Sequence, residues 1–131
     1  MDSLTVKTAR REQFVDITRE VQEYLSSRNL QNGVLTLYCP HTTAGLTINE
    51  GADPSVVRDI MVTLERLIPR SGDYHHSEGN SDAHIKTSLM GPSLQVVVEK
   101  GRLALGTWQK IFFTEFDGPR SRKVWIKWIQ G

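Results

Sequence analysis

Hydrophobic and polar residues change their period along the chain, and the changes mark out its elements. Residues 4–8 (LTVKT) and 13–18 (QFVDIT) alternate apolar with polar around a polar ARREQ stretch, which predicts two strands joined by a turn. From there the period lengthens. Val21, Tyr24 and Leu25 share one face of a helix over 19–29, with Thr18 placed to cap it. Strands follow at 33–39 (GVLTLYC), ended by Pro40, and at 45–50 (GLTINE).

The strongest helical stripe is Val56, Val57, Ile60, Met61, Leu64, Leu67 and Ile68. Asp53 stands at its N-cap, Pro54 at its first position and Pro69 at its end. A polar loop over 70–80 leads to a second helix over 82–90, capped by Ser81 and closed by Gly91-Pro92. Period two then returns in 93–99, 102–105, 109–116 and 122–128, separated by Gly101, Gly106 and Asp117-Gly118-Pro119. Strands, then helices, then strands, without a repeating βα alternation, predict an α+β domain. Its large antiparallel or mixed sheet would pack with two to three helices.

At 131 residues the chain is one domain long, and its 38% hydrophobic and 24% charged content is that of a folding sequence. The balance of 16 basic against 15 acidic side chains argues against a nucleic-acid partner. A single cysteine, Cys39, allows no internal disulfide and fits a reducing compartment. With no basic-then-apolar leader at the N-terminus and no long apolar run, the expectation is a cytoplasmic protein with no membrane partner.

Candidate chemistry gathers in residues 75–84, HHSEGNSDAH, which hold three of the four histidines. His76 and His84, with His41 after Pro40, supply imidazoles of the kind that bind zinc or a similar divalent metal. The spacing matches no standard metal signature, so a solvated or hydrogen-bonded role stays open for each. Glu78 is a candidate general base or imidazole orienter, against the alternative of a solvated loop carboxylate. Asp82 is a candidate catalytic residue, against simple stabilisation of a helix N-terminus. HTTAGLTINEGADP (41–54) offers short donors beside His41, with Asn49 at a strand end. Lys86, Arg120 and Arg122 are candidates for gripping phosphate or carboxylate, since no glycine-rich phosphate loop is present.

The blocks HTTAGLTINEGADPSVVRD, HSEGNSDAHIKTSLMG, GRLALGTWQ and FTEFDGPRSRK resemble the signature blocks of the YjbQ-like family, also called the secondary thiamine-phosphate synthase family. The resemblance spans nearly the whole chain. It implies a compact α+β subunit assembled as a homotrimer and a metal at His41, His76 and His84. Glu78, Asn80 and Asp82 belong to the same block as His76 and His84, and the resemblance implies Lys86, Arg120 and Arg122 toward an anionic ligand. The activity it implies joins hydroxymethylpyrimidine diphosphate to thiazole phosphate, making thiamine phosphate. Magnesium would accompany the diphosphate, whereas three imidazoles suit zinc. A zinc hydrolase or lyase acting on another phosphorylated metabolite, and a non-enzymatic metabolite- or metal-binding trimer, are the alternatives. Lys110 departs from the family pattern, which more often has glycine there.

Overall fold

In the computed structural model, which describes residues 1–131, eight strands and three helices follow one another in the predicted order. The strands are β1 (Asp2–Lys7), β2 (Gln13–Asp16), β3 (Gly33–Tyr38), β4 (Ala44–Glu50), β5 (Ser93–Glu99), β6 (Arg102–Leu103), β7 (Gln109–Glu115) and β8 (Ser121–Gln130). The helices are α1 (Thr18–Ser27), α2 (Pro54–Leu67) and α3 (Ser81–Met90). Every strand pairing is antiparallel.

The strands divide between two sheets, β1-β8-β3-β5-β6 and β2-β7-β4. Thus β1 and β2, adjacent in sequence, part company: β1 pairs with β8 and β2 with β7. The inward positions of both sheets meet in one core. Leu35, Leu37, Val96, Val98, Val124 and Ile126 from the larger sheet face Leu46, Ile111 and Phe113 from the smaller. Helix α1 adds Val21, Tyr24 and Leu25 to that core. Alternation is the reason: a strand with one buried face puts every second residue inward.

Strand β7 breaks the alternation, with Ile111 through Glu115, and Phe116 just beyond its end, all buried. Its second face packs under the helices, where Phe116 meets Leu64 of α2 and Ala83 of α3, flanked by Phe14, Ile60 and Met90. Helix α2 begins as predicted, Asp53 Oδ1 accepting the Ser55 N–H at 2.9 Å with Pro54 at the first position. The other two caps differ from expectation. Thr18 is already helical; its hydroxyl donates to Asp16 Oδ1 at 2.7 Å and accepts the Ile111 N–H at 2.8 Å, pinning α1 to β7. The N-cap of α3 is Asn80, one residue before Ser81, and its side chain turns elsewhere.

The far end of α3 is stitched to β4. The Leu46 N–H donates to the Gly91 carbonyl at 3.1 Å, and Gly45 leaves room for that carbonyl, which a Cβ would meet at 2.7 Å. No helix is long and apolar enough to cross a membrane.

Candidate functional site

Three segments meet beside the end of β3: residues 40–43, the loop and first turns of α3 around 78–84, and the turn 117–122. They enclose a cleft of about 330 Å³ in which, Pro40 aside, every lining residue is polar or charged. A larger hollow of about 410 Å³ near Asn29 and Gln130 has no titratable side chain on its walls. The smaller cleft is therefore the candidate site of the two.

Each wall has a stated support. The 117–122 turn is fixed by Thr8, whose backbone N–H donates to the Arg120 carbonyl at 2.9 Å and whose Oγ1 accepts the Arg120 N–H at 2.8 Å. Gly118 is required there: a Cβ would strike the Arg10 carbonyl and Thr8 Oγ1. Arg120 curls onto Asp117 through Nε to the carbonyl (2.8 Å) and Nη2 to Oδ2 (2.9 Å). Asp117 Oδ2 also accepts from Asn80 Nδ2 at 2.8 Å, joining the turn to the start of α3. This is why Asn80 does not cap its own helix.

Arg122 is buried and forks onto Glu115, Nε to Oε1 at 2.8 Å and Nη2 to Oε2; Nη2 also donates to Thr43 Oγ1 at 2.9 Å. Burial works to raise the Glu115 carboxyl, but hydrogen bonds from Arg122, Thr8 and the Asp117 N–H outweigh it and hold Glu115 below the ordinary carboxylate range. Glu115 stays charged and Arg122 stays neutralised. No hydrogen bond within the chain uses Arg122 Nη1 or Arg120 Nη1, which leaves a guanidinium donor on each for a ligand.

His41 accepts the Lys123 N–H on Nε2 at 2.9 Å. Burial, then the neighbouring Arg122 guanidinium, pushes its pKa below that of an ordinary imidazole. His84 lines the cleft and also a neighbouring hollow of about 430 Å³ that contains Tyr74 and His76. The His76 and His84 rings meet edge to face at 5.5 Å, and His76 Nε2 lies 3.7 Å from Glu78 Oε2. Glu78 is exposed and is the lining carboxylate with no hydrogen bond inside the chain.

The sequence-predicted residues thus separate into groups. His41, Glu78, Asn80, His84, Arg120 and Arg122 line one cleft. His76 stands behind His84, in the neighbouring hollow. Asn49 is at the opposite end of β4; at ~3.4 Å per residue, the six residues from Thr43 carry it roughly 20 Å away. Lys110, its partner in β7, lies at that same far end.

Asp82 and Lys86 are fully buried, on the face of α3 turned to the protein interior. Asp82 takes a two-pronged bond from Arg11 at 3.0 and 3.2 Å. The Lys86 ammonium sits among three carboxylates, 2.7 Å from Glu65, 3.0 Å from Glu12 and 3.1 Å from Asp82. Burial alone would lower the Lys86 pKa; the hydrogen bonds it donates to Glu65, Glu12 and Asp82 outweigh it and raise it. Burial likewise favours the neutral Asp82, and Arg11 with Lys86 overcomes it. Neither residue lines the cleft, so neither the catalytic place expected for Asp82 nor the ligand-gripping place expected for Lys86 is where they sit.

Glu12, Glu65 and Asp82 are the group of three acidic or histidine side chains whose ligand atoms converge within 4.8 Å, and Lys86 already fills their centre. The nitrogens of His41, His76 and His84 do not converge that closely. A single metal held by the three imidazoles does not fit this arrangement.

Sequence reasoning passed over Asp117, Glu115, Arg11, Glu12 and Glu65. Asp117 stands inside the DGPRSRK turn whose arginines were singled out, and an acid beside such arginines was the available signal. Nothing in the spacing pairs Glu115 with Arg122, or Lys86 with residues 74 and 21 positions away.

Two curled antiparallel sheets with three helices, carrying a polar cleft, define a small α+β domain. The chain belongs to the YjbQ family: it matches the description "UPF0047 protein YjbQ-like" over residues 2–131. It is 52% identical to a UPF0047 protein of Methanocaldococcus jannaschii, over 95% of this chain and 90% of that one. It is 48% identical to the UPF0047 protein YugU of Bacillus subtilis, over 97% of each. A crystal structure of a YjbQ/UPF0047-family protein from Clostridium acetobutylicum superposes with a TM-score of 0.95 at 54% identity, covering 98% of this chain and all of that one.

Proposed function

We propose that the cleft binds a phosphorylated small molecule and serves a transferase in which a diphosphate departs, as in thiamine-phosphate synthesis. The observation that carries this is the cleft lining: Arg120 and Arg122 with unused guanidinium donors and His41 beside them, on walls where Pro40 is the one apolar side chain. A departing diphosphate gains negative charge, and preoriented guanidinium groups stabilise it more than they stabilise the bound reactant. The neighbouring hollow, with Tyr74, His76 and Ile85 on its walls, suits a planar ring held beside the phosphate. Glu78 is the carboxylate available to take a proton or to steady positive charge on that ring. Magnesium enters in this reading with the diphosphate, whose oxygens it prefers to imidazole.

We place the working protein as a homotrimer. The outward face of the larger sheet supports this, with Tyr38 stacked on Trp125 and with Val97 and Ile129 exposed on the same face further along the strands, beside Val34. The test is a coupling assay with hydroxymethylpyrimidine diphosphate, thiazole phosphate and magnesium, following thiamine phosphate. Arg120→Ala is expected to reduce coupling at least about tenfold while the protein stays folded. Light scattering on the same sample should read three times the 14.8 kDa chain mass. Absence of product from either substrate pair order, or coupling indifferent to Arg120, counts against the transferase.

A further inference from the structure

The one contact of the His41 ring inside the chain decides which of its nitrogens carries the proton. The Lys123 N–H points at Nε2 from 2.9 Å, and a backbone amide can only donate. Nε2 must therefore present its lone pair. A neutral imidazole with an unprotonated Nε2 carries its hydrogen on Nδ1. Turning the ring over would aim the amide at a carbon-bound hydrogen, so the ring orientation is set by the same contact.

Both ring nitrogens are then committed in kind. Nδ1 is a donor with no lone pair to give a metal, and no hydrogen bond inside the chain uses it. A metal on Nδ1 would move the proton to Nε2, leaving two N–H groups facing each other at 2.9 Å. Protonating the ring would make the same clash and add a positive charge beside Arg122, Arg120 and buried surface. The neutral donor form is the one this surrounding accepts.

We infer that His41 acts as a neutral hydrogen-bond donor, Nδ1–H, toward an oxyanion in the cleft, and that it is a ligand-positioning residue with no place among metal ligands. The acceptor is the phosphate oxygen of the cleft ligand, and in that respect the inference rests on the function proposed above; the tautomer does not. An uncharged donor beside two guanidinium groups adds direction without further charge. It would select for the orientation of a phosphate group rather than for its presence.

Nitrogen NMR of the ligand-free wild-type protein tests the tautomer without any variant. His41 Nε2 is expected in the range of an unprotonated ring nitrogen and Nδ1 in that of a protonated one. Neither should move when zinc is added. A protonated Nε2, or a zinc-induced shift of either nitrogen, overturns the inference even where phosphate binding is intact. Titration with inorganic pyrophosphate tests the use of the donor. His41→Asn places an amide near the Nδ1 position and should keep the affinity, whereas His41→Gln, which places its amide near Nε2, should lose about tenfold or more. Equal affinity in both variants, or the reverse order, overturns the donor role. If wild-type protein shows the expected tautomer and binds no pyrophosphate, the failure lies with the phosphate reading of the cleft, and the donor role falls with it.

Discussion

Replacing Lys86 by methionine is expected to lower the stability of the fold by about 3–5 kcal/mol, the range for removing one partner of a buried ion cluster. The substitution is close in shape, so little of the loss comes from packing. It comes from charge. Asp82 and Glu12 both keep Arg11, at 3.0 and 3.2 Å, but Glu65 loses its cation and Glu12 the nearer of its two, and Glu12 is already the member whose carboxyl burial pushes up. Glu12 should respond by taking a proton, so part of the lost stability returns in the double variant Lys86→Met/Glu12→Gln. Urea unfolding followed by circular dichroism measures both. A loss below about 1 kcal/mol in the single variant would mean that the ammonium is a passenger among the carboxylates. The functional consequence runs through α3. Asp82 and Lys86 tie this helix to Arg11, Glu12 and α2, and the same helix brings Asn80 and His84 to the cleft.

The second large effect is expected at Glu115. Glu115→Ala strands the Arg122 guanidinium in the interior, removes the acceptor for the Thr8 hydroxyl and frees the Asp117 N–H. The expected cost is again about 3–5 kcal/mol, measured by denaturant unfolding. Glu115→Gln keeps an acceptor for Thr8 and should recover part of it. The pH dependence has a definite sign. The Glu115 carboxyl lies lower in the folded chain than in the unfolded one, so its contribution is present above the ordinary carboxylate pKa. It is lost as pH falls below about 4 and through the folded value. His41 adds a loss of the same direction at higher pH, because its depressed pKa lets the unfolded chain bind a proton first below about pH 6.5. Stability measured from pH 7 downward should therefore fall in two stages, and His41→Asn should remove the first.

Most of the fold was legible because most of its determinants are local. Asp53-Pro54 opening an apolar stripe is a helix start in any context, and α2 begins there with the expected cap. Partner choice is not local. The alternation in β1 and β2 shows that each has a buried face, but only β8 and β7, at the other end of the chain, decide that the two strands enter different sheets. Strand β7 falls among the period-two strands, yet Ile111-Phe112-Phe113 is an unbroken apolar run of the kind a strand buried on both faces carries; which elements cover its second face depends on where the helices land.

The cleft divides along the same line. His41, Glu78, Asn80, His84, Arg120 and Arg122 lie near chain turns or helix starts, where side chains project into solvent-accessible space, and a motif reading finds such residues. Asp82 and Lys86 belong to the same motif, four residues apart on one helical face, and that face turns inward. What neutralises them comes from Arg11, Glu12 and Glu65, which no pattern in residues 75–90 announces. A dense run of charged and histidine side chains thus served two purposes: half of it lines a cleft and half locks the helix that carries the cleft.

Recognition of phosphate by the arginine-lined cleft is tested by calorimetric titration of inorganic pyrophosphate into the wild-type protein and Arg120→Ala. Arg120 is half exposed and supports no buried network, so the variant should fold as the parent does. The prediction is one pyrophosphate per chain for the wild type, an affinity that weakens as salt is added, and at least about tenfold weaker binding in the variant. No saturable binding by the wild type, or equal binding by the two proteins, would contradict it.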